Sequence, residues 1–412
     1  MATAPHDFTP VLLGADLNCY SVARAFHEAY GVKTQAFGKQ SLGFTAHSRI
    51  VNFTVEPHLD DSALCVRLLR DYAERHTGRP LILMGCTDEY AAFLIEHRDE
   101  LSDLYLLPYM DAHLMEGLVD KADFYESCEK FGIPYPKTVI LSSPADKDAY
   151  SETALGFSYP IIVKPSSSIE YWRHPFKGMK KVYVAQTSEE ADAIVREIYA
   201  SGYDRRMILQ DMIPGGDDHM RVLTAYSDKD KKVKMMCMGH VLLEEHTPKG
   251  LGNHAAIITE KLPCVAEKLR AMLNTLGVRG FTNFDLKMDD RDGTYKVFEI
   301  NLRQGRSNNY LTASGINIAR LVAEDYVYAQ TLPEITEARE VFWHSIPKKI
   351  VYRYVEDEAL AARAKALDKK DLSRTPLLYG YDLCRSPRRL FFVLMHLHRQ
   401  HKKYATYCKR YR

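Results

Sequence analysis

Short apolar runs alternate with amphipathic segments up to about residue 115. Each amphipathic segment places apolar residues every three or four positions, as one face of a helix does. Strands that alternate with helices form parallel sheets covered on both faces. The pattern therefore predicts a doubly wound parallel sheet of the α/β class in an N-terminal domain. Its predicted strands are residues 11–14, 50–55 and 81–85, and its predicted helices are 16–30, 61–74 and 87–101.

Strict alternation of apolar and polar residues marks two later runs, joined by the turn-forming sequence DDRDG. Residues 281–288 and 294–301 both alternate with a period of two, which predicts a β-hairpin. Centring the turn on DDRDG places Asp285 across from Glu299 on one face. Facing carboxylates repel each other unless a cation lies between them.

The same hairpin face carries a set of oxygen donors suited to a hard divalent cation. Asn301 follows Glu299 on this face and pairs with Asn283 on the facing strand. Mg²⁺ is usually held by one or two carboxylates together with substrate phosphates. The metal ligands predicted from this pattern are Asp285, Glu299 and Asn301.

Two arginines follow the predicted metal ligands at once. Arg303 and Arg306 carry fixed positive charges that can hold phosphate oxygens through paired hydrogen bonds. Carboxylates followed by arginines indicate a nucleoside triphosphate site. The alternative is an ordinary solvated hairpin, whose acidic residues form ion pairs with Lys287 and the arginines.

The remainder of the chain mixes strands and helices in a way that predicts α+β structure. An apolar strand ends at Lys164, and the polar segment 166–181 after it predicts a loop. The predicted domains are residues 1–118, 119–206, 207–330 and 331–412. Further helices are predicted at 121–131, 188–200, 262–276 and 316–329, and further strands at 159–165, 182–185, 207–210, 221–226 and 233–241.

Composition narrows the class of protein. The 412 residues include 55 Lys and Arg against 54 Asp and Glu, a balance that indicates no nucleic-acid partner. The eight cysteines stand singly, which argues against a zinc site and favours a reducing compartment. We see no signal-peptide pattern and no apolar run of the ~20 residues that a membrane span needs. These features predict a soluble cytoplasmic protein.

Polar residues also follow two strands of the predicted parallel sheet. Asp16 and Asn18 come after the first strand, and Asp88 comes after the last. Sheets of this class bind ligands beyond the carboxyl ends of their strands, so these residues are candidate substrate contacts. The alternative is that they cap helices. The GAD sequence at residues 14–16 lacks the GxGxxG pattern, so a dinucleotide site is not predicted.

Several motifs together resemble a known fold. A helix bearing Lys121, the strand ending at Lys164, a linker strand at 208–213 and the acid–amide hairpin resemble the ATP-grasp fold, in which two α+β subdomains hold ATP. The strings VLLGADLNCYSVARAFHEAYG, PYPKT, VKMMCMGH and FEINLRQGRS resemble the D-aspartate ligases of Gram-positive bacteria. The resemblance implies an ATP-grasp fold with an N-terminal doubly wound pre-ATP-grasp domain and a C-terminal helical extension.

The resemblance implies an activity as well. Enzymes of this family use ATP to activate the side-chain carboxyl of D-aspartate, and then join it to the lysine amine of a peptidoglycan precursor. The implied cofactors are ATP and Mg²⁺, or Mn²⁺ in its place. Two other hypotheses stay open: a ligase for another amino or carboxylic acid and a peptide amine, and a nucleotide-binding regulatory protein without turnover.

Individual residues take roles from the resemblance. Arg221 and Arg303 would steady the transferred phosphoryl group, and Arg306 with Ser307 would lie nearer the acyl acceptor. For Arg306 the alternative is a structural ion pair. The expected ATP contacts are Lys121 and Lys164 for the phosphates, Ser166, Ser167 and Ser168 in the lid loop, Gln210, Asp211, Met212 and Ile213 for adenine, and Asp217 or Asp218 for the ribose. The three serines depart from the glycine-rich loop of many ATP-grasp lids.

The C-terminal residues 385–412 contain nine Lys and Arg and neither Asp nor Glu. One prediction is a helix that packs an apolar stripe on the body and keeps its charges in water. The alternative is a basic surface that attracts an anionic partner, either the diphosphate of a wall precursor or the cytoplasmic face of the membrane. The apolar residues of the stripe are Leu390, Phe391, Val393, Leu394 and Leu397.

Overall fold

The N-terminal part of the chain forms the predicted parallel sheet. The structure is a computed structural model that describes residues 7–248, 250–384 and 386–408. The strands are β1 (Thr9–Leu13), β2 (Thr34–Gly38), β3 (Val51–Val55) and β4 (Leu81–Gly85), and the helices are α1 (Leu17–Tyr30), α2 (Ser62–Glu74), α3 (Asp88–Glu96), α4 (Arg98–Leu101) and α5 (Ala112–Val119). The order across the sheet is β3-β2-β1-β4, with every pair parallel.

Two details of this sheet differ from the sequence prediction. Strand β2 was not predicted because its first two residues, Thr34 and Gln35, are polar, yet both are buried. Gln35 satisfies its amide by donating to Thr54 Oγ1 at 3.0 Å. The single helix predicted at 87–101 is instead two helices that meet at His97.

A small antiparallel sheet follows, which we call the lid. Its strands are β5 (Thr138–Leu141), β6 (Ile161–Pro165), β7 (Tyr183–Ala185) and β8 (Met207–Asp211), and its order is β5-β8-β6-β7. The accompanying helices are α6 (Lys121–Lys130), α7 (Glu152–Leu155), α8 (Ser168–Arg173) and α9 (Ser188–Ala200), with a 3₁₀ turn at Lys147–Tyr150. Helix α8 lies within residues 166–181, which were predicted as a loop. It forms because the Ser167 hydroxyl accepts a hydrogen bond from the Glu170 amide.

The third part is a seven-stranded sheet in the order β13-β12-β9-β10-β11-β14-β15. The strands are β9 (Met220–Ser227), β10 (Val233–Glu244), β11 (His254–Glu260), β12 (Gly280–Asp289), β13 (Thr294–Asn301), β14 (Phe342–His344) and β15 (Ser373–Arg374). The helices here are α10 (Val265–Leu276), α11 (Asn309–Ala313) and α12 (Ile318–Val322), with a 3₁₀ turn at Asp217–His219 and a π-helical turn at Ala323–Val327. Helix α12 and the π-helical turn replace the single helix predicted at 316–329.

The C-terminal extension adds strands β14 and β15 to this sheet and then ends in helices. These are α13 (Lys348–Tyr354), α14 (Glu358–Lys369), α15 (Gly380–Leu383) and α16 (Pro387–Tyr407). Arg389 at the start of α16 is fully buried against α1, and Tyr404 near its end donates to the Glu244 carbonyl at 2.7 Å. Along the described ranges, no helix combines the length and the apolar character needed to cross a membrane. Residues 385 and 409–412 of the basic tail lie outside the described residues.

Buried amides join the parallel sheet to the segment after β13. Asn18 donates to the Cys86 carbonyl at 2.8 Å and accepts from Asn308 at 2.8 Å, and Gln304 donates to the Gly85 carbonyl at 3.1 Å. A β-carbon at residue 305 would lie 2.6 Å from Asn283 Oδ1, so this close approach requires Gly305. The amides therefore fix residues 303–308 against the carboxyl ends of β1 and β4.

Candidate active site

The β12–β13 hairpin has the register that its sequence predicts. Asp285 pairs with Glu299 and Asn283 pairs with Asn301, with an irregularity directly after Asp285. The turn closes on Asp289, a fully buried residue whose carboxylate accepts hydrogen bonds from Arg291 and Lys296. Opposing residues of an antiparallel pair share a face, so the two predicted metal carboxylates face each other.

The charges around these carboxylates are unevenly distributed. Lys121 Nζ lies 3.5 Å and Lys181 Nζ 3.7 Å from the carboxylate of Glu299. Burial acts to raise the pKa of Glu299, but Lys181, Lys121 and Lys164 together hold it below its usual range. Burial and the charge of Glu299 raise the pKa of Asp285. The lysines therefore compensate the charge of Glu299 more fully than that of Asp285.

The donors on this face suit a hard cation. Asn301 Nδ2 lies 3.5 Å from Asp285 Oδ2, so the amide and both carboxylates converge on one place. Among the described residues, no group of three or more His, Cys, Asp or Glu side chains is arranged to hold a metal, and the set on this hairpin has two carboxylates and one amide instead. Asn283 is turned away from the set, because its oxygen accepts from Thr224 at 2.9 Å. Two carboxylates and one amide are the ligands that Mg²⁺ tolerates when phosphates complete its shell.

Three lysines line the lid side of the hairpin. Lys164 donates to Tyr125 Oη and to Gln210 Oε1, both at 3.0 Å, and burial lowers its pKa to about 8 against the opposing charge of Glu299. Lys121 donates to Ser168 Oγ at 3.1 Å, and burial lowers its pKa as well. Lys181 was not predicted, because it stands in a stretch of several lysines with no pattern to distinguish it.

The three predicted lid serines have different partners. Ser166 donates to Asp120 Oδ2 at 2.7 Å, and Ser167 caps helix α8. Ser168 is the one that contacts a predicted phosphate ligand, since its hydroxyl accepts from Lys121. The phosphate-binding role of all three stays a prediction.

The linker after β8 separates residues that were predicted to act together. Gln210 faces Lys164, whereas Asp211 lies on the opposite face of the strand and pairs with Arg291 at 2.6 Å. Beyond Met212, the carbonyl of Ile213 accepts a hydrogen bond from Lys287 at 2.8 Å. Lys287 therefore fixes the linker.

The two acids predicted for the ribose already hold loops. Asp217 is buried and accepts hydrogen bonds from the Glu244 amide at 2.9 Å and from His246 at 2.8 Å. Asp218 contacts His219 at 2.8 Å. Their contact with a ribose stays a prediction.

The predicted arginines occupy three different surroundings. Arg303 is half-buried and forms an ion pair with Asp88, with Nη2 at 2.9 Å from Oδ2, while Thr87 caps α3 in place of Asp88. Arg221 pairs with Glu260 at 2.8 Å. In the β9–β12 register Arg221 opposes Leu286 and the next residue opposes Asp285, so Arg221 lies on the other face of the sheet. The structure does not bring Arg221 to Arg303, and its catalytic role stays a prediction.

Arg306 lies between two acids near the start of α1. Its Nη1 donates to Glu245 at 2.8 Å, and its Nε lies 3.6 Å from Asp16. Asn18 serves in the buried amide contacts described above, and Ser307 is buried nearby. The arginine is thus at the meeting point of the parallel sheet and the large sheet.

A cleft of about 980 Å³ opens between the parallel sheet, the lid and the hairpin. Its lining includes Lys121, Ser168, Glu299 and Asn301 of the predicted phosphate and metal ligands, together with Asp88 and Lys181. Trp172 of α8 also faces it and is 53% exposed.

One buried residue beside the hairpin, His254, was not predicted. His254 Nε2 lies 3.9 Å from Asp285 Oδ1 and 3.7 Å from Glu244 Oε1, and burial lowers the pKa of His254 to about 4. Its strand β11 was not predicted. The apolar run AAIIT directly after His254 was the available signal for a buried strand.

Comparison with known proteins gives a family and a fold. No protein-family model matches the chain. The D-aspartate ligase of Enterococcus faecium (strain Aus0004) is 39% identical over 409 residues, which cover 97% of this chain and 97% of that enzyme.

Solved structures extend the comparison to the fold. The biotin carboxylase domain of 2-oxoglutarate carboxylase from Hydrogenobacter thermophilus, solved with MgADP, has a TM-score of 0.61 at 14% identity, covering 81% of this chain and 73% of that one. The L-amino acid ligase of Bacillus licheniformis has a TM-score of 0.56 at 16% identity, covering 79% and 75%. These structures share the ATP-grasp fold. Together with the identity over almost the full length of both chains, they establish that this chain belongs to the D-aspartate ligase family, built on the ATP-grasp fold.

Proposed function

We propose that the protein is an ATP-dependent carboxylate–amine ligase that activates an amino-acid carboxylate as an acyl phosphate. The observation that carries the proposal is the facing pair of Asp285 and Glu299, with lysines and Arg303 around it and the cleft in front. Lys121 and Lys164 would hold the ATP phosphates. Gln210 and the backbone of residues 211–213 would bind the adenine.

Magnesium fits the donor set of the hairpin. Asp285, Glu299 and Asn301 would hold it, because a divalent charge between the two carboxylates removes the repulsion that raises the pKa of Asp285. When bound, the ion would neutralise charge on the phosphate oxygens. Mn²⁺ would occupy the same oxygen donors.

The chemistry needs positioning and positive charge more than a general base. A carboxylate oxygen of the substrate attacks the γ-phosphorus, the bond from that phosphorus to the β–γ bridging oxygen breaks, and ADP leaves. Arg303 and the lysines stabilise the charge that builds on the transferred group. A neutral amine then attacks the carbonyl carbon, phosphate leaves, and an amide forms. A lysine amine with an ordinary pKa of about 10.4 loses its proton before it attacks.

The specific substrates we propose are the side-chain carboxyl of D-aspartate and the lysine amine of a peptidoglycan precursor. The support is the 39% identity to the E. faecium D-aspartate ligase over almost the whole of both chains. ATP and a cytoplasmic wall precursor would both be available in the cytoplasm, where we place the enzyme.

Helix α16 supports a further contact with an anionic membrane surface. The buried residues of this helix are Arg389, Val393, Gln400 and Tyr404. The apolar stripe predicted to pack on the body is therefore wrong in most of its members: Val393 is buried and Leu397 half-buried, but Leu390, Phe391 and Leu394 are exposed. The outer face of the helix carries exposed apolar and basic side chains. Phe391 is 67% exposed. An outer face of this composition suits the boundary between lipid headgroups and acyl chains. The exposed residues of this face include Leu390, Phe391, Leu394, Arg388, Arg399, Lys402 and Lys403.

The test of the activity is phosphate release from Mg·ATP, measured over D- and L-amino acids with and without a lysine-containing muropeptide. We expect D-aspartate to support turnover and hydroxylamine to trap a hydroxamate at its side-chain carboxyl. Release of pyrophosphate with an acyl-AMP would contradict the acyl phosphate step. Binding of ATP without turnover for any acid would indicate a regulatory protein.

A further inference from the structure

Arg306, Glu245 and Asp16 form a compact charge cluster whose members come from distant parts of the chain. Arg306 Nη1 donates to Glu245 Oε1 at 2.8 Å, and Arg306 Nε lies 3.6 Å from Asp16 Oδ2. The side chains are between 18% and 28% exposed, so a small molecule can reach each of them. A cluster with one cation and two anions can pair with a ligand group that carries one carboxylate and one ammonium.

The cluster is rigidly held. Asp16 Oδ1 caps helix α1 by accepting from the amides of Asn18 and Cys19, which leaves Oδ2 for Arg306. Asn18 is locked to the segment that carries Arg306 through Asn308. Preorganised charges of this kind lose little entropy when they bind a ligand.

Glu245, the third residue of the cluster, lies in a closely packed loop. The loop after β10 folds back on Glu245, since a β-carbon at Gly250 would lie 2.5 Å from Glu245 Oε2. Tyr404 of α16 donates to the carbonyl of Glu244, and Gln400 and Lys403 border a small pocket with Glu245. The C-terminal helix thus supports the side of the cluster that faces away from the parallel sheet.

The cluster adjoins the reacting end of the candidate active site. Glu245 directly follows Glu244, whose Oε1 lies 3.7 Å from His254 Nε2, and the same nitrogen lies 3.9 Å from Asp285 Oδ1. Arg306 stands three residues after Arg303 in the same segment. A substrate held at Arg306 would therefore extend toward Arg303 and the hairpin.

We propose that Asp16, Glu245 and Arg306 form the subsite for the zwitterionic head of the amino-acid substrate, with the two acids on its α-ammonium and the arginine on its α-carboxylate. The inference rests on the proposed ligase function and deepens it. The α-carboxylate is held at Arg306, and the side-chain carboxylate alone reaches Arg303 and the transferred phosphoryl group. The subsite thus decides which carboxyl reacts. Contacts to three groups on one carbon skeleton also distinguish the two enantiomers.

The test combines three variants with two truncated substrates. Succinate is aspartate without its ammonium, and 3-aminopropanoate is aspartate without its α-carboxylate. Affinities are measured as KM for D-aspartate in phosphate release and as Ki of each truncated acid against it. Asp16→Asn keeps the side-chain oxygen that caps α1 while it removes the charge, so the fold is preserved.

We expect Asp16→Asn and Glu245→Gln each to raise the KM for D-aspartate and the Ki of 3-aminopropanoate about 10- to 100-fold, as loss of a charged hydrogen bond does. The Ki of succinate should stay within about twofold, because succinate has no ammonium to lose. Arg306→Gln should weaken D-aspartate and succinate but leave 3-aminopropanoate unchanged. Thermal unfolding of each variant is measured alongside.

Glu340→Gln is the matched control, since Glu340 also pairs with an arginine, Arg363, at 2.6 Å but on the C-terminal extension. It should change none of these constants. Equal weakening of D-aspartate and succinate by Glu245→Gln would overturn the subsite and leave a structural ion pair. If wild-type protein turns over no acid at all, the ligase proposal fails first, which is a separate and distinguishable result.

Discussion

The β12–β13 hairpin and the contact between α16 and α1 both remove ionised groups from full exposure to water, but the charges are matched in only one of them. At the helix contact, Asp382 lies 2.5 Å from Arg389 and accepts hydrogen bonds from Tyr20 and Ser48 at 2.9 Å. The Arg389 guanidinium also stacks over the Tyr20 ring at 4.0 Å. Both acid and base there are fully buried and opposed by each other.

At the hairpin, the positive charges do not balance the two carboxylates equally. Three lysines depress the pKa of Glu299, while burial and Glu299 raise that of the facing Asp285. A completed cluster stabilises the fold, whereas an incomplete one has charge left over for a ligand. Both places bury charge, so the unequal charge at the hairpin, and not burial, is the feature that indicates ligand binding there.

The largest effect should come from breaking the matched cluster. Asp382→Ala should lower the free energy of unfolding by about 3–5 kcal/mol, because the Arg389 guanidinium would be buried without its partner. Chemical denaturation measures this, with activity per folded molecule expected to be retained. Asp103→Ala is the control, since its pair with Arg70 is exposed and should cost under about 1 kcal/mol. A loss below 1 kcal/mol for Asp382→Ala would show that the cluster does not support the fold.

The next effect falls on the unmatched cluster and on activity. Glu299→Gln should reduce turnover by about 10²–10³-fold, because a carboxylate that serves the phosphoryl transfer becomes a neutral amide. The melting temperature should change by only a few degrees. Steady-state phosphate release and a thermal scan give the two measurements. Near-normal turnover with an unchanged Mg²⁺ requirement would dismiss Glu299 as a ligand.

His344 in the C-terminal extension is a buried group that is held uncharged, and its contribution to stability should depend on pH. Burial lowers the pKa of His344 to about 4, and its ring nitrogens contact the Ile346 carbonyl at 2.7 Å and Ser373 Oγ at 3.1 Å. Lys348, whose charge also lowers this pKa, and Asp368, whose charge raises it, are the charged groups that act on the ring.

The sign follows from the unfolded state, in which histidine binds a proton below its ordinary pKa of about 6.5. Stability should therefore fall as the pH drops from about 6.5 to 4, with about 3 kcal/mol of the loss due to His344. The wild type and His344→Gln are compared by denaturation at pH 7 and pH 4, where other groups contribute equally to both. An identical pH dependence of the two would show that His344 is not held neutral.

The smallest effect concerns the outer face of α16. Lys402→Glu should weaken co-sedimentation with anionic vesicles about 10- to 30-fold at low salt, since each cation near such a surface contributes about 1 kcal/mol and the new anion is repelled by a similar amount. Binding should fall further when Arg399, Lys403, Lys409 and Arg410 are reversed as well, and it should vanish with neutral vesicles. Lys261→Glu, at an exposed lysine directly after β11, is the control. Absence of vesicle binding by the wild type at low ionic strength would leave α16 as a packing element.

Much of the hairpin could be predicted because its information is local. The period of two, the DDRDG turn and the facing acids lie within about 20 residues, and the observed register of Asp285 with Glu299 confirms them. Three of the four strands of the parallel sheet were predictable for the same reason, whereas β2 was not. Lys181 and His254 were not predicted because neither stands in a motif. Lys181 lies among other lysines, and His254 is the polar first residue of a strand that was itself not predicted.

What the sequence could not provide is the pairing of distant residues. Tyr20 and Asp382 are 362 positions apart, and no pattern within either segment indicates the other. The face on which Arg221 lies depends on the β9–β12 register, which is set by tertiary pairing. Asp16 was predicted as either a substrate contact or a cap, and the structure shows that it caps α1 with one oxygen and faces Arg306 with the other.

The lock between Asn18 and the segment that ends at Asn308 has a practical consequence for recombining genes of this family. A crossover placed anywhere between these two positions would combine one parent's first strand and helix with the other parent's hairpin segment. Such chimeras would inherit mismatched halves of one amide network, and they would inherit halves of the Asp16–Arg306 pair with it. Libraries that aim to change the accepted amino acid should therefore exchange both segments together, as one unit that is discontinuous in the gene.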